Sequence, residues 1–372
     1  MASTSTVQCP IPGPIKHNDS IYIFYKPANV PKAEILFFHD VLWKECEEPH
    51  VHSWMSSGTP SVCWPEVWLM PKFPEARILS VRYDAALRKS TSGGYMDLFV
   101  VAENLRHDIL DICAGNCPVV LVGHGFGGLV IKQLIFGMHM VSSNFEPSTK
   151  SPYMCKLDCF MTNVHGIFYF APPFSGSKLI DSMKDLPDAG LLVQFLQQFD
   201  ETIVRLNDWF RQWRKDRCET RAISAALPTE VHVESKVPFL SKCKYAQVVE
   251  EASARNDVDF FYTTSKDHFG VCKPEDQTDS GYKMLCGLIE QVMLPIVGSA
   301  KQMNDIIEND SDERVNNILS ILSQVESFHL PIAELQKITK FPKSAGRLQN
   351  GLTEAGFERT NQSACGELWE KI

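Results

Sequence analysis

The chain has 372 residues, of which 44% are hydrophobic, 22% charged and 10% aromatic. That is the composition of an ordinary folded globular protein, and it excludes collagenous, disordered and membrane-spanning classes. At roughly 150 residues per domain the length allows one large domain and a small one. With 36 Lys and Arg against 45 Asp and Glu the net charge is −9, so a basic surface for nucleic acid or anionic lipid is not expected.

The opening stretch has no basic-then-apolar signal pattern, and no Arg precedes Arg77, which argues against an Arg-rich transit peptide. No run of about 18 apolar residues is present for a membrane span. The 12 Cys are scattered and fall where small apolar residues would. A cytoplasmic, reducing environment is the expectation.

In chain order, Ser20 to Tyr25, Glu34 to Phe38, Ala76 to Tyr83, Pro118 to Val122, Gly166 to Phe170 and Glu230 to Glu234 read as strands, several of them continuous apolar runs. Met96 to Ile112, Gly128 to Met140 and Leu191 to Trp213 carry apolar residues three and four apart and read as helices. Strands buried on both faces that alternate with helices imply an α/β fold, a mostly parallel doubly wound sheet with helices on both sides. Lys244 to Val249 and Phe260 to Thr263 are later strand candidates, and Gly281 to Val297 a closing helix.

The sheet domain is thus expected over residues 15–300. An acidic, polar linker follows over 301–314. In 315–372, VNNILSILSQV, PIAELQKI and SAGRLQNGLTEAGF read as three short helices before a terminal strand at LWEKI, a winged-helix-like unit. Lys343, Arg347 and Arg359 are its candidate DNA-contacting cations, but Asp312 to Lys371 holds seven basic and eight acidic residues. Without a basic footprint, docking of a protein partner is the preferred role.

The segment VVLVGHGFGGLV, Val119 to Val130, is a strand that runs through a glycine-rich turn into a helix. Its spacing is that of the nucleophile elbow, G-x-S-x-G, in which a strained turn holds the serine hydroxyl out of the sheet. Gly123 and Gly127 keep the flanking glycines, while Gly125 stands where the nucleophile belongs. Glycine relieves the strain of that turn, which costs another residue about 1–3 kcal/mol.

With this elbow, the tract Trp64 to Ala85, MDLFVVAENL from Met96, GIFYFAPPFSGS from Gly166 and KDHFGVCKP from Lys266, the chain resembles lipase- and esterase-like α/β-hydrolases. The similarity is to the group that includes serine-active-site-containing proteins and the hydrolase domains of lower-plant immune receptors, and it runs from about Glu34 to Gln291. It implies an α/β-hydrolase fold and a triad in the order Ser, acid, His. It gives His268 as the catalytic histidine and Glu234 as the acid, with Asp259 as second choice. His39, Asp40, Val41, His124, Phe126 and Phe174 are implied as the oxyanion and pocket positions.

Two further positions depart from the family pattern. His-Gly becomes His39-Asp40, which sets a carboxylate beside the oxyanion loop, where negative charge opposes the transition state. Thr-Pro-His-x-Gly-Ser becomes Pro172-Pro173-Phe174-Ser175-Gly176-Ser177. The expectation is a pseudohydrolase that binds a hydrophobic ester- or acyl-like ligand or scaffolds a protein. The alternative is an active esterase or lipase, with Gly125 replacing a natural serine or with a water activated by His268 and Glu234.

Gly123 to Gly128 also matches the dinucleotide fingerprint G-x-G-x-x-G, but the acid expected at the end of the next strand is missing, since Glu146 falls in a loop. Cys113 and Cys117, and Cys155 and Cys159, have spacings that zinc permits, yet read as buried small residues. Cys46, His50, His52 and Cys63 read as solvated loop residues. Neither cofactor nor metal is expected.

Overall fold

The computed structural model describes residues 13–42, 46, 48–87, 97–113, 117–145, 150–181, 190–215, 217–234, 241–256, 258–309, 327–331, 353, 357–363 and 366–371. Its strands begin with β1 (Ile15–Lys16), β2 (Ile21–Tyr25), β3 (Ala33–Phe38), β4 (Ala76–Val81) and β5 (Val119–His124). They continue with β6 (Val164–Phe170), β7 (Glu219–Ala225), β8 (Thr229–Glu234), β9 (Ser241–Ala246) and β10 (Phe260–Thr264). One sheet of eight takes the order β1-β2-β4-β3-β5-β6-β7-β10. Beyond the antiparallel β1-β2 and β2-β4 pairs, every neighbour is parallel. This is the mostly parallel arrangement of an α/β-hydrolase fold.

The apolar runs follow from that topology. β3 lies between β4 and β5 and is buried along its whole length, so no polar alternation survives. The chain leaves β3 for β4 on one side and returns to β5 on the other, which opens a crevice at the carboxyl ends of the strands.

The helices are α1 (Pro49–His52), a π-helical turn at Pro65–Leu69, α2 (Met70–Lys72), α3 (Leu98–Ile112), α4 (Gly127–Ser143) and α5 (Pro152–Asn163). After them come α6 (Lys178–Asp181), α7 (Leu192–Phe195), α8 (Glu201–Arg214), α9 (Glu251–Arg255) and α10 (Ser280–Asn309). α3 starts where the Asp97 carboxylate accepts the Val100 N–H, and it buries Leu98, Val101, Leu105 and Ile109 on one stripe. Among the described residues no helix is long and apolar enough to cross a membrane.

Several expectations are corrected. Leu191 to Trp213 is two helices, because Phe199 takes a left-handed φ of 58° and Asp200 restarts the chain by capping Thr202 and Ile203. β7 went unread because Glu219, Thr220 and Arg221 mask its strand character; Arg221 pairs with Glu219 while Ala222 and Ile223 are buried. Glu230 to Glu234 is a strand outside the main sheet, paired antiparallel with β9. Residues 301–309, expected as linker, continue α10.

The contacts divide the chain into a larger unit, residues 1–138 and 160–292, and a smaller one, 139–159 and 293–372. In the smaller unit β11 (Ser327–Pro331), β12 (Phe357–Ser363) and β13 (Gly366–Lys371) form an antiparallel sheet in the order β11-β13-β12. Its terminal strand matches LWEKI. The three expected helices lie outside the described residues apart from their fringes, of which Pro331 is in β11 and Phe357 in β12.

Candidate active site

The elbow is fixed by backbone geometry. Gly125 has φ +51° and its N–H donates to the Phe170 carbonyl at 2.8 Å. A Cβ on Gly127 would lie 2.3 Å from the Phe38 carbonyl oxygen, and one on Gly123 2.8 Å from the Gly128 nitrogen. Neither neighbour is a flexible side chain, so Gly127→Ala is expected to cost about 1–3 kcal/mol, read as a lower urea midpoint at unchanged slope.

At Gly125 the obstacle is different. A Cβ there would meet the Asp40 carboxylate, with Oδ1 at 2.0 Å and Cγ at 2.3 Å. Asp40 therefore fills the space that a nucleophile's side chain needs. Its Oδ1 accepts the Phe126 N–H at 2.7 Å, the donor that in an elbow belongs to the oxyanion hole. Its Oδ2 lies 2.9 Å from His268 Nε2. One carboxylate thus fills the space beside Gly125 and bonds both the Phe126 N–H and His268.

Burial makes this pairing matter. Asp40 is 7% exposed and His268 2%. Burial by itself would raise the Asp40 pKa, but the hydrogen bond and charge of His268, the charge of His124 and the Phe126 N–H outweigh it and hold the carboxyl well below the usual range. Tyr83, buried beside it, is pushed well above the ordinary phenol value by burial and by the Asp40 charge.

The His268 loop is held by its backbone. His268 N–H donates to Thr229 Oγ1 at 3.2 Å, and His124 Nε2 donates to the His268 carbonyl at 2.9 Å. Behind His124, Cys272 Sγ stands 3.4 Å from Nδ1, and this contact with the Asp40 charge outweighs burial to raise the His124 pKa. His268 Nδ1, the nitrogen a triad acid would hold, is buried with no hydrogen-bonding partner among the described residues.

Of the two acids expected from the sequence, Asp259 is held elsewhere. Asp259 precedes β10, at the end of the strand away from the His268 loop, where Arg214 Nη1 lies 2.7 Å from Oδ1 and Thr220 donates from N and Oγ1 at 2.9 and 2.8 Å. Glu234 is the last residue of β8, five beyond Thr229, which carries its Cα roughly 16 Å along the strand from the residue that touches His268. Its side chain lies outside the described ones.

The remaining expected positions are in place but differently employed. The His39 ring stacks on Tyr83 at 4.1 Å, and its Nδ1 donates to the Asp40 carbonyl at 2.7 Å. Burial pushes its pKa down to about 4 against that bond. Val41 and Phe126 are buried. Phe174 packs in the core, edge-on to Tyr169 and under Lys132 Nζ at 3.4 Å. Lys132 is fully buried and donates to Asn207 Oδ1 at 2.8 Å, while Asn207 donates to the Phe174 carbonyl at 2.6 Å.

The four residues read as a solvated loop are partly core. His50 and Cys63 are buried, His50 lying 3.8 Å from the Tyr22 ring, because α1 and the segment after it fold down onto the sheet. Burial pushes the Cys63 and Cys117 thiols up to about 12 and Cys113 well above its ordinary value. These are inert thiols rather than nucleophiles.

Two buried side chains that contact expected site positions escaped the sequence reading. Lys132 sits in an apolar helix face, with no signal except a cation where none is expected. Cys272 falls inside the His268 block four residues on, and only the fold sets it against His124.

No family model matches the chain. It is 24% identical over 297 residues to human Protein SERAC1 and 26% identical over 298 residues to the zebrafish protein. Each alignment covers 75% of this chain and 42% of the relative, so the chain matches less than half of those proteins' length. Among solved structures it is similar to the Bacillus licheniformis lipase BlEst2 in mature form, with a TM-score of 0.43, 13% identity, and coverage of 71% of this chain and 97% of that one. It is also similar to phospholipase PlaB from Legionella pneumophila in complex with thio-NAD, with a TM-score of 0.44, 10% identity, and coverage of 91% and 67%. The chain is a sequence relative of SERAC1 over three-quarters of its length.

Proposed function

We propose that this protein is a pseudohydrolase, an α/β-hydrolase-fold domain that binds a ligand or scaffolds a partner instead of cleaving an ester. The observation that carries this reading is the Asp40 carboxylate in the space of the missing nucleophile side chain, bonded to both Phe126 N–H and His268 Nε2. A substrate carbonyl entering this site would find the oxyanion donor taken and a negative charge where charge has to develop. Gly125 and Asp40 also fit each other, which favours a natural glycine over a single replacement of serine.

A ligand has a place beside this centre. A cleft of about 350 Å³ lies past the carboxyl ends of β3 and β4, walled by Leu42, Tyr83, Val101 and Leu105 and edged by Arg82 and Asp84. With Asp19, Ser20 and Asn104 also in its lining, the cleft is as polar as it is apolar, which suits a small amphiphile better than a long acyl chain. Protein docking through residues 315–372 remains part of the same proposal.

The test is ester hydrolysis and fluorophosphonate labelling of the full chain. We expect neither above background. Hydrolysis of a short-chain ester that His268→Ala abolishes would overturn the reading and favour an enzyme that works through a His268-activated water.

A further inference from the structure

We infer that Asp40, His124 and His268 form a binding site for a divalent transition metal of the zinc class. The inference rests on the proposed loss of the serine nucleophile, because Asp40 reaches these histidines only across the space left at Gly125. All three residues are buried, and one ligand atom from each lies within 4.8 Å of the others. Two imidazoles and a carboxylate are a zinc-ligand set that leaves one coordination position for water.

The Asp40–His268 pair is near the geometry the ion requires, while His124, within 4.8 Å of both, has to move closer. Tetrahedral coordination with bonds of about 2.0 Å sets ligand atoms roughly 3.3 Å apart. Asp40 Oδ2 and His268 Nε2 are 2.9 Å apart, so they need to separate by only about 0.4 Å. His124 has to give up its bond from Nε2 to the His268 carbonyl. Its proton is then carried on Nδ1, whose N–H donates to Cys272 Sγ at 3.4 Å. Outer partners that fix ligands are already present, since the Phe126 N–H holds Asp40 Oδ1 and Cys272 backs His124.

The experiment loads the full chain with zinc alone, then with cobalt(II) alone, and measures stoichiometry, affinity and X-ray absorption. One equivalent is expected, in a shell of nitrogen and oxygen near 2.0–2.1 Å with imidazole scattering and no sulfur near 2.3 Å. Asp40→Asn and His124→Gln are expected to weaken uptake more than about 100-fold, and Cys272→Ser by about 10–100-fold. No uptake, a sulfur-containing shell, or affinity indifferent to Asp40→Asn overturns the site. Should a variant not fold, the absorption spectrum of the unaltered chain decides alone. The two readings fail separately. An inert protein that binds no metal refutes only the site, whereas zinc-dependent ester hydrolysis refutes only the pseudohydrolase.

Discussion

Gly125→Ser on its own will remain unlabelled by a fluorophosphonate probe, whereas the double variant Asp40→Gly with Gly125→Ser will be labelled. The single change places a Cβ 2.0 Å from Asp40 Oδ1 at a φ of +51°. Overpacking costs about 1–3 kcal/mol and the left-handed backbone about 1–3 kcal/mol more. Those are large fractions of a typical stability of about 5–15 kcal/mol. Asp40→Gly alone strips His268 Nε2 and the Phe126 N–H of their shared partner, and each buried group left unsatisfied costs about 1–3 kcal/mol.

In the double variant the introduced hydroxyl has room and can meet His268, so the collision and the loss at His268 are relieved while the backbone cost at φ +51° remains. A double-mutant cycle should show a coupling of about 0.5–3 kcal/mol in favour of the pair. Labelling will be slow, because His268 Nδ1 has no carboxylate among the described residues, and loss of the triad acid costs about 3 × 10⁴ in kcat in a serine protease. Additive stabilities, or labelling of the single variant, would show that Asp40 does not block the site.

Stability is expected to fall steeply as the pH drops from about 6.5 to about 4. His39 and His50 both have pKa values pushed down to about 4 by burial, against an ordinary 6.5. In that window the unfolded chain binds more protons than the folded one, so each histidine's contribution is complete above pH 6.5 and lost on acidification. For His39, fully buried, the loss amounts to about 3 kcal/mol. Asp40 acts in the same direction at still lower pH, because its folded pKa is depressed. His124 is shifted upward, so its contribution is present below pH 6.5 and fades as the pH rises through its folded value. Urea unfolding at a series of pH values should give a dome, and His39→Gln should flatten its acid side. A stability unchanged between pH 4.5 and 7 would refute this assignment of buried neutral histidines.

The elbow was legible because its requirements are steric and local. Gly123, Gly127 and the apolar run before them specify a strand, a tight turn and a helix whatever residue stands at 125. The parallel sheet was legible for a similar reason, since β3 and β5 are buried on both faces and carry no polar alternation. The acid partner of His268 was not legible. Asp40 was read as a charge beside the oxyanion loop, and only parallel pairing of β3 with β5 brings residues 40 and 125 together. Glu234 is plausible as a strand-end carboxylate, and sequence does not reveal that β8 pairs with β9 outside the main sheet. Lys132 lies at the extreme of this limit, because its neighbours Asn207 and Phe174 are 75 and 42 positions away in the chain.

The fit between Gly125 and Asp40 also bears on how this protein can change. A serine arriving first collides with a carboxylate, and a glycine arriving first at position 40 strands a histidine and an amide. On the proposed reading, both one-step routes to a serine nucleophile pass through a destabilised intermediate, so the pairing would behave as a ratchet. On the proposed pseudohydrolase reading, a chain with a carboxylate in this space is free to alter its surfaces and its cleft, but it does not readily acquire a nucleophile.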